Sequence, residues 1–456
     1  LGRALTENPA KDEVSRFLKA HPDIEGVEYL IPDTNGVLRG KWAPPPSLAK
    51  AAKAGVNFPL GLFGLDIWGR EVTETGLHVE TGDRDGLCRL VPDSLRLVPW
   101  AARPTAQAML TMWTETGIPF LADPRQQLAF AVERLARAGY RAVAAFELEF
   151  YLVDPRAVER PDDAPRAVLS GACGPERQNI YALSDLSAFS DLFHEIRTAG
   201  LVQGLPLDTI VSEASPGQFE VNLKHRPDPL AVADDAVMLK RLIQEVARKH
   251  HLRATFMAKP FIERAGNGMH VHVSLIDGDG ANAFSAPGVG EARLTQAVGG
   301  LVDAMAPSTI LFVPTWNGFR RLQPGSYAPT RATWGHNNRS VAVRVPMSEP
   351  AARRIEHRVA GADANPYLVL AAVLNGMADG LERAAAAPPP CDRNGYDASD
   401  PALPSTMEGA IRAFETSDFI RRAFGVEYRR LFAALKRAEM RTFLEEISPL
   451  ERSTYL

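Results

Sequence analysis

The chain has 456 residues, 45% of them apolar and 23% charged, a balance that excludes a disordered or fibrous protein. Its 51 basic and 55 acidic side chains leave a formal net charge of −4, which argues against a nucleic-acid binder working through a basic surface. No apolar run reaches the ~18 residues that a membrane-spanning helix needs, so no membrane partner is expected.

The opening LGRALTENPAKDE has acids and a proline where a secretory signal would need an apolar stretch, and the expected compartment is the cytoplasm. Cys88, Cys173 and Cys391 are scattered and form neither a disulfide framework nor a zinc knuckle, which agrees with a reducing environment. Residues 11–20 read as a short amphipathic helix. Strands are predicted at 26–32 and 36–44, joined by the turn signal Thr34-Asn35-Gly36. Residues 45–103 mix short strands with many glycines and prolines. A helix is predicted over 124–140, where Asp123 can cap, Pro124 sits in the first turn and Gly139 ends the run. A strand follows at 142–153. The Pro/Gly-rich stretches 154–178, 277–291 and 387–404 read as surface loops. Between them, helical patterns at 188–199 and 229–250 alternate with strands at 218–223, 270–275, 340–345 and 353–359. Helical pattern dominates 365–384 and 407–445. The expected fold class is α+β: a small β-rich domain over 1–105 followed by a large α+β domain over 106–456.

A strand sends residues i and i+2 to one side. In Phe146-Glu147-Leu148-Glu149-Phe150 both carboxylates therefore share a face. Alone this is an ordinary solvated strand face. The pattern recurs, however: Gln218, Glu220 and Asn222 share a face, with Glu213 just upstream; so do His270, His272 and Ser274; and so do Arg354, Glu356 and Arg358. If these strands form one sheet, the groups converge on one cavity. Glu147, Glu149, Glu213, Glu220, Glu356 and His270 would then offer hard oxygen ligands and one imidazole, a set suited to Mg²⁺ or Mn²⁺. So many carboxylates would repel one another unless cations neutralise them, and two divalent ions would do so. Arg321, Arg339, Arg344, Arg354 and Arg358 add fork donors for phosphate and carboxylate. Metal carboxylates beside an arginine cluster suggest phosphoryl transfer. No G-x-x-x-x-G-K-[ST] loop is present, so this is not a P-loop enzyme.

Ordered blocks along nearly the whole chain resemble the glutamine synthetase family: FELEFYL (146–152), EASPGQFEVN (213–222), ATFMAKP (254–260), GNGMHVHVSL (266–275), FRRLQPGSYAP (319–329), NNRSVAVRVP (337–346) and RRIEHRVAGADANPYL (353–368). The early PDTNGVLRGK (32–41) fits the family's N-terminal β-grasp domain, and the resemblance implies a large C-terminal catalytic domain over 106–456 with a curved antiparallel sheet flanked by helices. The resemblance implies a two-metal site with Glu149, Glu213 and Glu220 on one ion and Glu147, His270 and Glu356 on the other. It places His272 and Ser274 at ATP, Arg321 and Gly266 at glutamate, and Arg358 near the glutamate γ-carboxylate. Arg339, Arg344 and Arg354 match phosphate-contacting arginines. It also implies a two-step reaction, in which ATP phosphorylates glutamate and an amine attacks the acyl phosphate. Rings of six subunits, stacked as a dodecamer, are implied as well.

Two departures change the expected nucleophile. The family's ammonium pocket has an acid on a flap after Pro-Gly, and here Pro324-Gly325-Ser326-Tyr327 puts a phenol there. A second family acid, in the N-terminal domain, has no counterpart in Asn57-Phe58-Pro59-Leu60-Gly61, although Asp33 and Asp66 lie within reach in sequence. The family's Asn-Gly-Ser-Gly before the histidine also reads Ala265-Gly266-Asn267-Gly268. A phenol is neutral at pH 7 and supplies no charge for ammonium. The chain resembles the γ-glutamylpolyamine (γ-glutamylputrescine) synthetases, with monoamide and ethanolamide synthetases as near relatives. The resemblance thus implies a ligase for glutamate, ATP and an organic amine, with Glu213 as candidate base and Tyr181 and Tyr327 lining the amine pocket. An ammonia-using glutamine synthetase and a non-catalytic regulatory relative are the alternatives. Tyr396, near where some glutamine synthetases carry a nucleotidylated tyrosine, reads as an ordinary loop residue.

Overall fold

The structure, a computed structural model, describes residues 9–157 and 180–456. Cys173 and most of the loop predicted at 154–178 lie outside the described residues.

Helix α1 (Pro9–Ala20) leads into β1 (Gly26–Pro32), which turns back into β2 (Leu38–Ala43). The turn forms because Asp33 Oδ1 accepts the N–H groups of Asn35 and Val37, each at 2.9 Å. Gly36 closes it at φ +76°, a conformation that costs glycine nothing. Then come α2 (Ser47–Ala54), β3 (Val56–Pro59), β4 (Asp85–Leu90), β5 (Arg96–Leu97) and β6 (Thr105–Trp113). The strand order is β2-β1-β6-β4-β3, with β5 beside β6. Only the β1–β6 pair is parallel, as expected for a β-grasp sheet. Val27, Tyr29 and Ile31 of β1 and Ala106, Ala108 and Leu110 of β6 fill one core. Leu30 and Met109, on the opposite face, belong to the main core. Strand β6 is therefore buried on both faces and shows no polar alternation to mark it in sequence. The first sheet runs on to Trp113, past the boundary expected at 105/106.

Helix α3 (Pro124–Arg137) starts as predicted. Asp123 Oδ1 accepts the Arg125 N–H at 2.8 Å, while Oδ2 binds Thr111 Oγ1 and the Met112 N–H of β6, so one cap also ties the helix to the first sheet. The chain continues through β7 (Arg141–Val153), α4 (Leu183–Ala188), α5 (Ser190–Val202), β8 (Leu207–Ser212), β9 (Gln218–Leu223), α6 (Pro229–Lys249), β10 (Arg253–Thr255) and β11 (Met269–Ile276). After these come α7 (Val289–Phe312), β12 (Trp334–His336), β13 (Val343–Val345), β14 (Ile355–His357), α8 (Pro366–Arg383), α9 (Met407–Thr416), α10 (Asp418–Phe424), α11 (Val426–Glu445) and α12 (Pro449–Tyr455).

The second sheet has the order β12-β13-β14-β11-β7-β9-β8, with β10 on β7. All of its pairs are antiparallel except β12–β13. Phe146, Leu148, Phe150, Phe219, Val221, Val271 and Val273 turn one face into the main core, which leaves the carboxylates and imidazoles on the other. Helix α7 was not foreseen beyond a loop at 277–291. Its Gly299, Gly300 and Pro307 hide it, and the packing explains two of them. A Cβ on Gly300 would meet the Gly376 carbonyl oxygen at 2.2 Å, and one on Gly299 would meet Ala386 and Ala387 backbone at 3.0 Å. Helices α7 and α8 thus approach too closely for larger residues. No helix among the described residues is long and apolar enough to cross a membrane.

Candidate active site

Strand register gathers the predicted groups. Glu147 pairs across β7 with His270 of β11 and with Asn222 of β9. Glu149 pairs with Glu220, and Glu356 of β14 pairs with His272 and with Arg344 of β13. Side chains directly opposite one another lie within reach across a ladder, so the register forms a continuous polar strip.

The imidazole of His270 stands between two acids: Nδ1 is 3.4 Å from Glu147 Oε2, and Nε2 is 4.0 Å from Glu149 Oε1. Arg354 Nε donates to His272 Nδ1 at 3.2 Å. On the other side of the ring, His272 Nε2 lies 2.9 Å from Glu147 Oε1. Asn222 Nδ2 also reaches Glu147 Oε1, at 3.4 Å. The Gly268 N–H donates to Glu149 Oε2 at 2.6 Å, a backbone contribution with no side-chain signal in the sequence. Glu356 is buried between two arginines: Arg344 Nη1 donates to its Oε2 at 2.7 Å, and Arg358 Nη1 donates to its Oε1.

The acids titrate in opposite directions. Burial opposes ionisation of Glu147, but His270 and His272 outweigh it and hold its carboxyl well below the usual range. Burial likewise opposes ionisation of Glu356, and Arg358, His272 and His270 outweigh it, bringing it to about 2. Glu213 is raised to about 7, chiefly by burial and then by Glu149. Glu220 is pushed up to about 10 by burial and by Glu147, Glu149 and Glu213. Glu149, Glu213 and Glu220 thus crowd one another in a buried site, and a divalent ion would relieve the repulsion.

Ligand atoms of Glu147, His270 and Glu356 all lie within 4.8 Å of one another, as do those of Glu149, Glu220 and His270. Both groups fit Mg²⁺ or Mn²⁺, being oxygen-rich with one imidazole. Glu213, which the resemblance groups with Glu149 and Glu220, falls outside both sets. It follows β8 in the turn to β9, where its N–H donates to the Gln218 carbonyl at 2.9 Å.

The remaining candidates surround this strip. Ser274 lies further along β11, opposite Val143. Arg321 is buried, with Nη1 donating to the Val359 carbonyl at 2.8 Å. Burial lowers its pKa, since the charge is poorly solvated. Gly266 packs against Arg321, and its carbonyl accepts from Gln218 Nε2 at 3.0 Å. Asn267, where the family pattern has serine, is fully buried. Its Nδ2 donates to the Met257 carbonyl at 2.9 Å and its Oδ1 accepts from Gln218 at 3.1 Å, so it knits this loop to β9. Arg344 Nε and Arg358 Nε are buried without a hydrogen-bond partner among the described residues. Such orphaned cationic donors suit an anion.

Arg339 is exposed in the turn between β12 and β13. It lines a cavity of about 770 Å³ with Tyr327, Asn337, Tyr396 and Asp397. Tyr327 and Tyr181 are 68% and 57% exposed, and both take left-handed backbone, at φ +57° and +62°. Asp33 and Asp66, the acids within sequence reach of the lost ammonium ligand, are spent on their own loops. Asp33 binds Arg39 Nε at 2.9 Å besides its two turn amides. Asp66 accepts from the N–H groups of Trp68 and Arg70 and from Arg70 Nε.

The family described as "Glutamine synthetase, catalytic domain" matches residues 121–455. The γ-glutamylputrescine synthetase PuuA of Escherichia coli K12 is 40% identical over 99% of this chain and 94% of its own length. The glutamate–isopropylamine ligase of a Pseudomonas species is 33% identical over 97% of each chain. The solved complex of GmaS with ADP superposes with a TM-score of 0.84 at 29% identity, over 97% of this chain and 99% of that one.

Proposed function

The chain belongs to the glutamine synthetase family, and we propose that it joins the γ-carboxylate of glutamate to an organic amine, with ATP as phosphoryl donor. Relatives named for putrescine and isopropylamine ligation support this reading. The observation that carries it is the missing charge at the nucleophile's site. Tyr327 stands where the family has a flap acid, and Asp33 and Asp66 are saturated by their own loops.

In this reading Arg321 and the Gly266 loop hold glutamate and Arg358 meets its γ-carboxylate. His272, Ser274, Arg339, Arg344 and Arg354 face the nucleotide and the transferring phosphoryl group. The orphaned Nε donors of Arg344 and Arg358 are placed to receive anionic oxygens. Glu147, His270 and Glu356 would hold one Mg²⁺ or Mn²⁺, and Glu149 and Glu220 the other, with Glu213 adjoining. When bound, such ions supply Lewis-acid stabilisation of phosphoryl oxygens. The γ-phosphoryl group passes from ATP to a glutamate carboxylate oxygen, and ADP leaves. The amine nitrogen then attacks the acyl carbon and inorganic phosphate leaves. An alkylamine is protonated at pH 7 and must first lose a proton. Glu213, raised to about 7, is suited to accept it.

The test is phosphate release from ATP with Mg²⁺ and glutamate, offering ammonium beside putrescine, spermidine, ethanolamine and simple alkylamines. Turnover with one amine and little with ammonium is expected. Efficient turnover with ammonium alone would mean that other groups rebuild the cation site and that the amine reading is wrong.

A further inference from the structure

The segment Pro324–Pro329 carries Tyr327 over the cavity, and it is held from two sides. From within, the single Ser326 Oγ–H is shared between the carbonyls of Gln323 and Arg321, at 2.6 and 3.0 Å, and Oγ accepts the Ala328 N–H at 3.3 Å. From across the cavity, the phenol of Tyr396 donates to the Ala328 carbonyl at 3.1 Å. Between these pins sits Tyr327, at φ +57°. A left-handed φ is unfavourable for a residue with a Cβ and persists where its surroundings hold it.

Tyr396 is itself firmly set. The Asn394 side chain accepts its N–H at 3.2 Å, the Gly395 N–H donates to Ser340 Oγ at 2.8 Å, and Arg331 donates to the carbonyls of Tyr396 and Asp400, at 3.2 and 2.8 Å. A Cβ on Gly395 would come within 2.6 Å of the Ser340 carbonyl oxygen, so this turn is locked against the β12–β13 connection. Burial keeps the phenol in its protonated, donating form. Its oxygen also lies within electrostatic range of Arg321 and Arg358.

We propose that Tyr396 is a positioning residue for the amine: by holding the Ala328 carbonyl it fixes the backbone that presents Tyr327 to the nucleophile. The role rests on the ligase reading, in which Tyr327 borders the amine. The hydrogen bond that the Tyr396 phenol donates goes to the flap. Its influence passes through the flap.

The experiment compares wild type with Tyr396→Phe, which removes only the hydroxyl, and with Ser326→Ala, which removes the second pin. KM is measured separately for amine, glutamate and ATP. Loss of one hydrogen bond predicts a roughly five- to tenfold rise in KM for the amine in each variant, with kcat within about twofold. KM values for glutamate and ATP should stay within about twofold of wild type. Trapping of activated glutamate by hydroxylamine, a small nucleophile neutral at pH 7, should be unchanged. An unaltered amine KM in Tyr396→Phe would overturn the proposal. So would an equal rise in the glutamate KM, because the phenol would then act through Arg321. If wild type uses ammonium alone, the ligase reading fails, yet the same comparison with ammonium still decides whether Tyr396 sets the flap.

Discussion

Gly266 lies so close to Arg321 that a Cβ on the glycine would stand 2.8 Å from Arg321 Cγ and 2.6 Å from the Ala258 carbonyl oxygen. The Ala258 oxygen is backbone and cannot yield, so the Gly266 loop itself must shift, and Arg321, packed against it, shifts with it. Gly266→Ala should therefore displace the guanidinium and raise KM for glutamate by roughly 10- to 100-fold, the scale of an ångström-sized misplacement. KM for ATP should be nearly unchanged, since the proposed function puts Gly266 and Arg321 at glutamate and not at the nucleotide. Equal losses for both substrates would point to general unfolding of the loop, and thermal melting would show it.

The metal groups make a prediction about protons. Without cations, Glu220 at about 10 and Glu213 at about 7 bind protons at neutral pH. Carboxylate ligands bind metal deprotonated, so loading with Mg²⁺ or Mn²⁺ should expel protons. Calorimetric titration at pH 7 in two buffers of different ionisation enthalpy measures this release directly. Glu220→Gln resembles the protonated acid, so metal-free stability should change by less than about 0.5 kcal/mol. The metal-induced rise in melting temperature should shrink, because the group of Glu147, His270 and Glu356 is left intact, and about one fewer proton should leave per site. A variant that still gained full stability from the metal would remove Glu220 as a ligand.

How much of this site could be read from the residues depends on the kind of signal. Carboxylate pairs such as Glu147 and Glu149 were legible because a strand's period of two puts them on one face, and the ordered motif blocks named the family. Pairing register has no such local mark. That His270 sits between Glu147 and Glu149, or that Arg344 and Arg358 both grip Glu356, emerges only when β7, β11, β13 and β14 align. Strand β6 and helix α7 escaped for a different reason. Burial on both faces erases alternation in one, and close packing against α8 demands glycines that mimic a loop in the other.

His357 should make stability depend on pH. Its ring is fully buried, 4.3 Å from the Phe312 ring, and neither nitrogen has a hydrogen-bond partner among the described residues. Burial, reinforced by His270, pushes its pKa down to about 3. The folded state thus keeps it neutral, while the unfolded chain takes up a proton near pH 6.5. Its contribution is complete above pH 6.5 and is lost as pH falls below that, at about 1.4 kcal/mol per pH unit. Urea denaturation of wild type and His357→Leu at pH 7 and pH 5 isolates the effect. Relative to the variant, wild type should lose about 2 kcal/mol between the two conditions. A constant difference would mean that the imidazole finds a proton acceptor in the folded protein.

Tyr327 offers the most direct test of what selects the nucleophile. The side chain is 68% exposed and contributes nothing to the core, so replacing it leaves the fold intact. The flap's shape is set instead by Ser326 and by the Ala328 carbonyl. Tyr327→Glu would therefore place a carboxylate on an unchanged frame, where the family carries its ammonium ligand. Neither Asp33 nor Asp66 can already supply that charge, because each is bound within its own loop. The added carboxylate should improve kcat/KM for ammonium by roughly tenfold, equivalent to about 1.4 kcal/mol. An alkylamine loses the aromatic surface that borders its carbon chain, and its kcat/KM should fall by a similar factor. Measuring both nucleophiles with one enzyme preparation gives a ratio independent of active-site concentration. A ratio that did not move would place the choice of amine elsewhere than at position 327.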